Sequence, residues 1–218
     1  MIEFFTDNTQ IGFRLQYMEL LNWGTFHNKI WKIMPDGNNS LLTGEIGSGK
    51  STVVDALTCL IVPHHKIIFN KAAGAEGKER TMTSYIRGEY KNTKNEYIEI
   101  DSEAKRKVKA ISLRYQNDND TTFTVILANF HNVGFDNNVT LAQVFWIEND
   151  KVQKLLIVSI KPLTVKEHFT GFEDGKSLKQ KIKTLSGIEY VGDSFSEYSQ
   201  KFRHLLGMNS DDKILKTI

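Results

Sequence analysis

The sequence predicts an α/β fold with antiparallel additions, and three observations carry that expectation. A glycine-rich stretch at 44–52 lies between a short apolar segment and a longer one with helical spacing. Between 97 and 160 the chain reads as successive strands separated by polar turns. From 165 to 206 it reads as three helical segments. Strands that follow one another after a single early helix argue for an added antiparallel layer and against a continuing βαβ repeat.

The glycine-rich stretch is Gly44, Glu45, Ile46, Gly47, Ser48, Gly49, Lys50, Ser51 and Thr52. It satisfies G-x-x-x-x-G-K-[ST]. Residues 39–43 are expected to form a short buried strand leading in. Residues 51–60 are expected to form a helix leading out, with Val53, Val54, Ala56, Leu57 and Leu60 as its apolar stripe. Strand, glycine loop and helix suit a polyphosphate. Glycine lets the backbone turn tightly and present N–H groups, and the positive end of the helix dipole faces the same anion. Lys50 is the candidate for the β- and γ-phosphates, Ser51 for a magnesium ligand, and Thr52 for support of the same corner. The expectation is a P-loop that binds ATP with Mg2+.

Composition sets bounds on this reading. The chain has 218 residues, 40% hydrophobic and 25% charged, with formal net charge +2, so any basic surface must be local. Cys59 is the single cysteine, which rules out an intrachain disulfide and suits a reducing compartment. With no leader-like N-terminus and no apolar run of membrane-spanning length, a cytoplasmic protein without membrane contact is expected.

In chain order, 13–21 and 27–33 read as two strands joined by a turn containing Trp23, Gly24 and Phe26. A hairpin that runs into a P-loop is the layout of ABC-type ATPase heads, where an early aromatic packs on adenine. Trp23 and Phe26 are the candidates for that contact, with plain packing as the alternative. From 61 to 95, seven basic residues (Lys66, Lys71, Lys78, Arg80, Arg87, Lys91 and Lys94) face three acidic ones (Glu76, Glu79 and Glu89). This reads as a long loop and a short helix, able to touch phosphates or simply to be solvated. Strands are expected at 97–101, 108–115, 122–130, 139–147 and 155–160, then helices at 165–169, 176–185 and 194–206. A further helix start, capped by Ser210, is expected at 208–213.

Two stretches imitate other parts of an ATPase. Residues 144–148 end an apolar run on Glu148, but Asn149 and Asp150 follow, so a hairpin turn explains the carboxylate better than a magnesium-binding strand end. Leu185, Ser186, Gly187, Ile188 and Glu189 resemble the ABC signature loop, but Ile188 stands where a second glycine is required, so the match is read as coincidence. The six histidines show no metal-ligand spacing.

The blocks at 22–26, 41–52 and 55–57 resemble the N-terminal head of SMC-type ATPases. Those at 69–76, 84–88 and 139–146 resemble more narrowly the JetC (MksB/MukB-like) branch found in Wadjet plasmid-defence systems. The resemblance spans about 13–213. It implies one domain over 1–218, the N-terminal half of an ABC/SMC-type head. The nucleotide-binding core falls at about 13–100 and the strands and helices at about 100–210. The coiled coil and C-terminal half are expected to be absent, and with them the acidic magnesium strand, so no complete catalytic set is expected. It further implies homodimeric heads, kleisin, KITE and nuclease partners, and extrusion of plasmid DNA. Arg87 is then a candidate for contact with ATP or DNA, Lys71, Arg80 and Arg87 together for DNA backbone, and Gln143 for magnesium. The competing readings are a catalytically incomplete DNA- or partner-binding fragment and an ABC ATPase of another system.

Overall fold

The computed structural model describes residues 12–69, 81–92, 110–115 and 122–208. Its strands are β1 (Arg14–Leu21), β2 (Ile30–Ile33), β3 (Glu89–Asn92), β4 (Ala110–Ser112), β5 (Thr124–Asn132), β6 (Asn137–Glu148), β7 (Lys151–Ser159) and β8 (Ile188–Gly192). Its α-helices are α1 (Lys50–Ile61), α2 (Met82–Arg87), α3 (Val165–His168), α4 (Gly175–Thr184) and α5 (Phe195–Leu205). A 3-10 turn spans His64–Lys66.

Six strands form one antiparallel sheet in the order β2-β1-β5-β6-β7-β8, and β3 and β4 form a separate pair. The long hairpins explain the sheet's centre. Val125, Leu127, Ala142, Val144, Leu155 and Ile157 point to one face, where they pack with Leu163, Val165, Phe169, Leu178 and Ile182 of the α3–α4 layer. Ile126, Ala128, Leu141, Phe145, Leu156 and Val158 point to the other, against Ala56, Cys59 and Leu60 of α1 and Tyr198 and Phe202 of α5. A sheet covered on both faces needs apolar side chains at successive positions, which is why these strands read as continuous apolar runs and not as alternating ones.

Most expected elements form within a few residues of their expected bounds. Three differences have physical causes. Residues 39–43 form no strand: they have no strand partner among the described residues, and Leu41 is 88% exposed. Val54, placed in the apolar stripe of α1, is 50% exposed. The buried positions of that helix are Thr52, Asp55, Ala56, Cys59 and Leu60, an i, i+3, i+4, i+7, i+8 stripe that includes two polar residues with partners inside. β8 begins within the signature-like stretch. The expected strand at 97–101 and the helix start at 208–213 fall outside the described residues, apart from Met208.

Candidate nucleotide-binding site

The site begins with the turn at 22–28. Asn22 is left-handed at φ 55 and closes the turn through its side chain, accepting from Asn28 N at 2.8 Å and donating to Phe123 O at 2.9 Å. This fixes the turn to β5. Trp23 then enters the core at 0% exposure, stacks on Tyr85 with centroids 4.4 Å apart, and donates Nε1–H to Thr52 O at 2.9 Å. The expectation that Trp23 packs on adenine is therefore corrected: no face of its ring is open to a base. Its indole instead holds the first turn of α1. Phe26 lies against the P-loop itself, since a Cβ built on Gly49 would sit 3.0 Å from Phe26 Cζ. Trp31, 43% exposed on β2, packs beside Phe26 at 5.1 Å, with Lys29 Nζ 5.0 Å above its ring. Trp31 was not among the expected contacts, although an aromatic on an edge strand next to that turn is a usable signal.

Gly44, Gly47 and Gly49 take φ values of 152, 86 and 92, all costly for other residues. Residues 44–48 are exposed, so the loop opens to solvent. Lys50 arches back over it and donates Nζ to Gly44 O at 2.7 Å and Glu45 O at 2.8 Å. Ser51 is exposed on the first turn of α1, whereas Thr52 is buried with its methyl toward Gly24. Ile46 is 89% exposed at the loop's tip.

The start of α1 differs from every other described α-helix. Thr81, Thr164, Asp174 and Ser194 each accept a backbone N–H at the starts of α2 to α5. Gly49 offers no side-chain cap, and no acidic residue lies in the first turn of α1. Its leading N–H groups and positive dipole end thus stand beside Lys50 and Ser51, an arrangement that suits the oxygens of a polyphosphate.

Other candidates lie elsewhere. Gln143 is buried on β6, donating to Cys59 O at 2.8 Å and facing His64 Nε2 with its Oε1 at 3.1 Å. Cys59 is eight residues beyond Ser51, roughly 12 Å along the helix at 1.5 Å per residue. The magnesium assignment for Gln143 is corrected accordingly: it fastens the far end of α1. Burial, first of all, pulls the His64 imidazole below its ordinary pKa. Arg87 pairs with Asp150 at 3.6 Å. Lys71 and Arg80 lie outside the described residues. Among the described residues no cluster of three or more metal-ligating side chains occurs.

Both imitations are structural. Glu148 ends β6 beside a two-residue turn in which Asn149 and Asp150 have φ of 50 and 57, a primed hairpin turn. Glu148→Gln is expected to leave ATP binding unchanged within about twofold by calorimetry, as for an ordinary surface substitution. Gly187 is left-handed at φ 85 with its carbonyl accepting from Ile160 N at 2.9 Å, and Ile188 pairs with Ser159 at the start of β8.

Residues 15–76, spanning the hairpin, the loop and α1, match the family described as the P-loop containing region of AAA domain. No curated protein matches the chain. It is similar to a solved structure described as "Structural biochemistry of ATP-driven dimerization and DNA stimulated activation of SMC ATPases", at 14% identity and a TM-score of 0.41 over 79% of this chain and 93% of that one. The described residues form a mixed α/β fold that presents a P-loop segment within the matched stretch 15–76. No helix of its described residues is long and apolar enough to cross a membrane.

Proposed function

We propose that this chain binds ATP with magnesium at the P-loop and serves as the N-terminal part of an ABC/SMC-type ATPase head. The observation that carries the nucleotide reading is the uncapped start of α1 behind three left-handed glycines, with Lys50 poised over the loop. The loop amides and the helix end would hold the phosphates, Lys50, now on Gly44 O and Glu45 O, would serve as their cation, and Ser51 would offer its hydroxyl to the metal. Magnesium supplies charge neutralisation across the phosphate oxygens. Phe26, seated on Gly49, and Trp31 beside it form an apolar flank next to the loop that suits the nucleoside.

The head reading is supported by the resemblance in the blocks at 22–26, 41–52, 55–57, 69–76, 84–88 and 139–146 and by residues 39–46. Leu41 at 88%, Leu42 at 45% and Ile46 at 89% exposure are apolar side chains on a segment with no strand partner among the described residues. Such a segment suits a strand added from another part of the head, with the acidic residue for catalysis carried there. In the JetC-like branch the assembled motor would pair two heads, engage kleisin, KITE and nuclease subunits, and act on plasmid DNA in the cytoplasm. Arg87 suits a phosphate contact, since its partner Asp150 is 96% exposed and such a pair is worth at most about 1 kcal/mol.

Titration with ATP in the presence and absence of magnesium tests the nucleotide reading. Ser51→Ala is expected to remove most of the magnesium dependence while leaving metal-free binding in place. Equal magnesium dependence in both proteins refutes the assignment of Ser51. Turnover by this chain alone is expected to be indistinguishable from background in a phosphate-release assay, because β6 is the one described strand that ends on a carboxylate, and Glu148 there runs into a hairpin turn. Measurable turnover that survives Glu148→Gln would reveal a catalytic group elsewhere.

A further inference from the structure

We propose that Arg114 is a positioning residue for the phosphate loop, holding the turn that seats Phe26 on Gly49 and, at the same time, the segment that carries Arg87. The inference rests on the nucleotide reading above.

Arg114 is 1% exposed, an uncommon place for a guanidinium, and its donors converge on backbone from two separate segments. Nε donates to Ile86 O at 2.7 Å, and Nη2 donates to Tyr85 O and Gly24 O, both at 2.8 Å. Tyr85 and Ile86 lie in the last turn of α2, where the cap N–H of Gly88 already reaches Tyr85 O at 3.2 Å and the negative dipole end favours a cation. Nη1 stands 3.4 Å from His27 Nδ1. A guanidinium has no acceptor, so in this contact Arg114 can only donate. The backbone seals the joint: Leu113 N and Arg114 N donate to Arg87 O at 3.1 and 3.0 Å, and Gly24 N donates to Tyr85 O at 2.9 Å. Gly88 makes room, for a Cβ there would lie 2.7 Å from Arg114 Nη2 and 2.8 Å from Gly24 O.

The other side of that turn is the P-loop. Trp23 donates to Thr52 O, a Cβ on Gly24 would lie 2.8 Å from Thr52 Cγ2, and Phe26 covers Gly49. Release of the Gly24 carbonyl frees the turn to move, and Phe26 with it, so Gly49 loses the wall that keeps its backbone aimed at the anion. Lysine is no substitute, because one ammonium cannot reproduce a planar fork that serves three carbonyls.

The experiment uses the full chain and MgATP. Arg114→Lys is expected to keep the wild-type far-ultraviolet circular dichroism and to bind MgATP about tenfold more weakly, the effect of losing one or two hydrogen bonds made by a charged donor. In Arg114→Ala, low-millimolar guanidinium is expected to restore part of the affinity, which a general loss of packing would not allow. In wild type, the Arg114 Nε–H resonance is expected to shift when MgATP saturates the site. Arg114→Lys binding within twofold of wild type overturns the proposal, as does an Arg114 resonance unmoved by MgATP; the latter applies even if the variants do not fold. If wild type binds, Lys50→Ala does not and Arg114→Lys is unaffected, the nucleotide reading stands and Arg114 is only structural. If wild type does not bind ATP, both readings fall.

Discussion

Lys50→Ala is expected to weaken MgATP binding by at least about 100-fold, because hydrogen bonds from a charged donor contribute about 1.5–3 kcal/mol each and the loop loses its one P-loop cation. Fold should survive the change. Lys50 is only partly buried, and its partners are two loop carbonyls, Gly44 O and Glu45 O, that water can satisfy. Isothermal titration calorimetry beside a thermal melt separates the two effects. Equal affinity in mutant and wild type would remove the P-loop from the function of this protein.

The second large effect concerns stability. Trp23→Ala should cost about 3–5 kcal/mol, the range for deleting a large buried aromatic. The ring is fully buried, stacked on Tyr85 and bonded to Thr52 O, so its loss opens a cavity between α1 and α2. In a domain of this size each kcal/mol shifts Tm by about 2–4 °C, so a fall of about 10 °C is expected. Calorimetric melting decides it. A drop of only a degree or two, with ATP affinity sharply reduced, would return Trp23 to the ligand-contacting role that its burial denies.

The loop, its helix and the hairpins were legible because each rests on local rules: glycine for left-handed backbone, helical spacing for α1, apolar runs bounded by Asn-Asp turns for β5 to β7. The hairpin turn that follows Glu148 was legible for the same reason. What was not legible depends on contacts far apart in sequence. Trp23 in a turn looks like a surface aromatic until Tyr85 is folded onto it. Gln143 looks available until its amide is seen to bridge Cys59 and His64. Asp55 breaks the apolar pattern of α1 and is buried because Tyr85 donates a hydroxyl to it. Arg114 sits in a short strand-end segment with no motif to mark it, and its importance comes from carbonyls 28 to 90 positions away. Residues 39–43 were mistaken in the opposite sense: Leu41 and Leu42 ahead of the glycine loop suggest a buried strand, but burial needs a neighbouring strand and none is described.

The uncapped start of α1 makes one helix of this protein depend on what is dissolved around it. The four other described α-helices finish their first turns with their own Thr, Asp or Ser side chains, so that part of their stability is written into the chain. No side chain does this for α1, and under the proposed function the finishing oxygen atoms would come from a bound ligand. A ligand that supplies them binds only the folded state, so the protein's resistance to unfolding rises with ligand concentration. Under the proposed function a bound triphosphate would be a removable part of the secondary structure as well as cargo, and the tertiary contacts of α1, from Trp23 at one end to Gln143 at the other, would share in whatever order it brings.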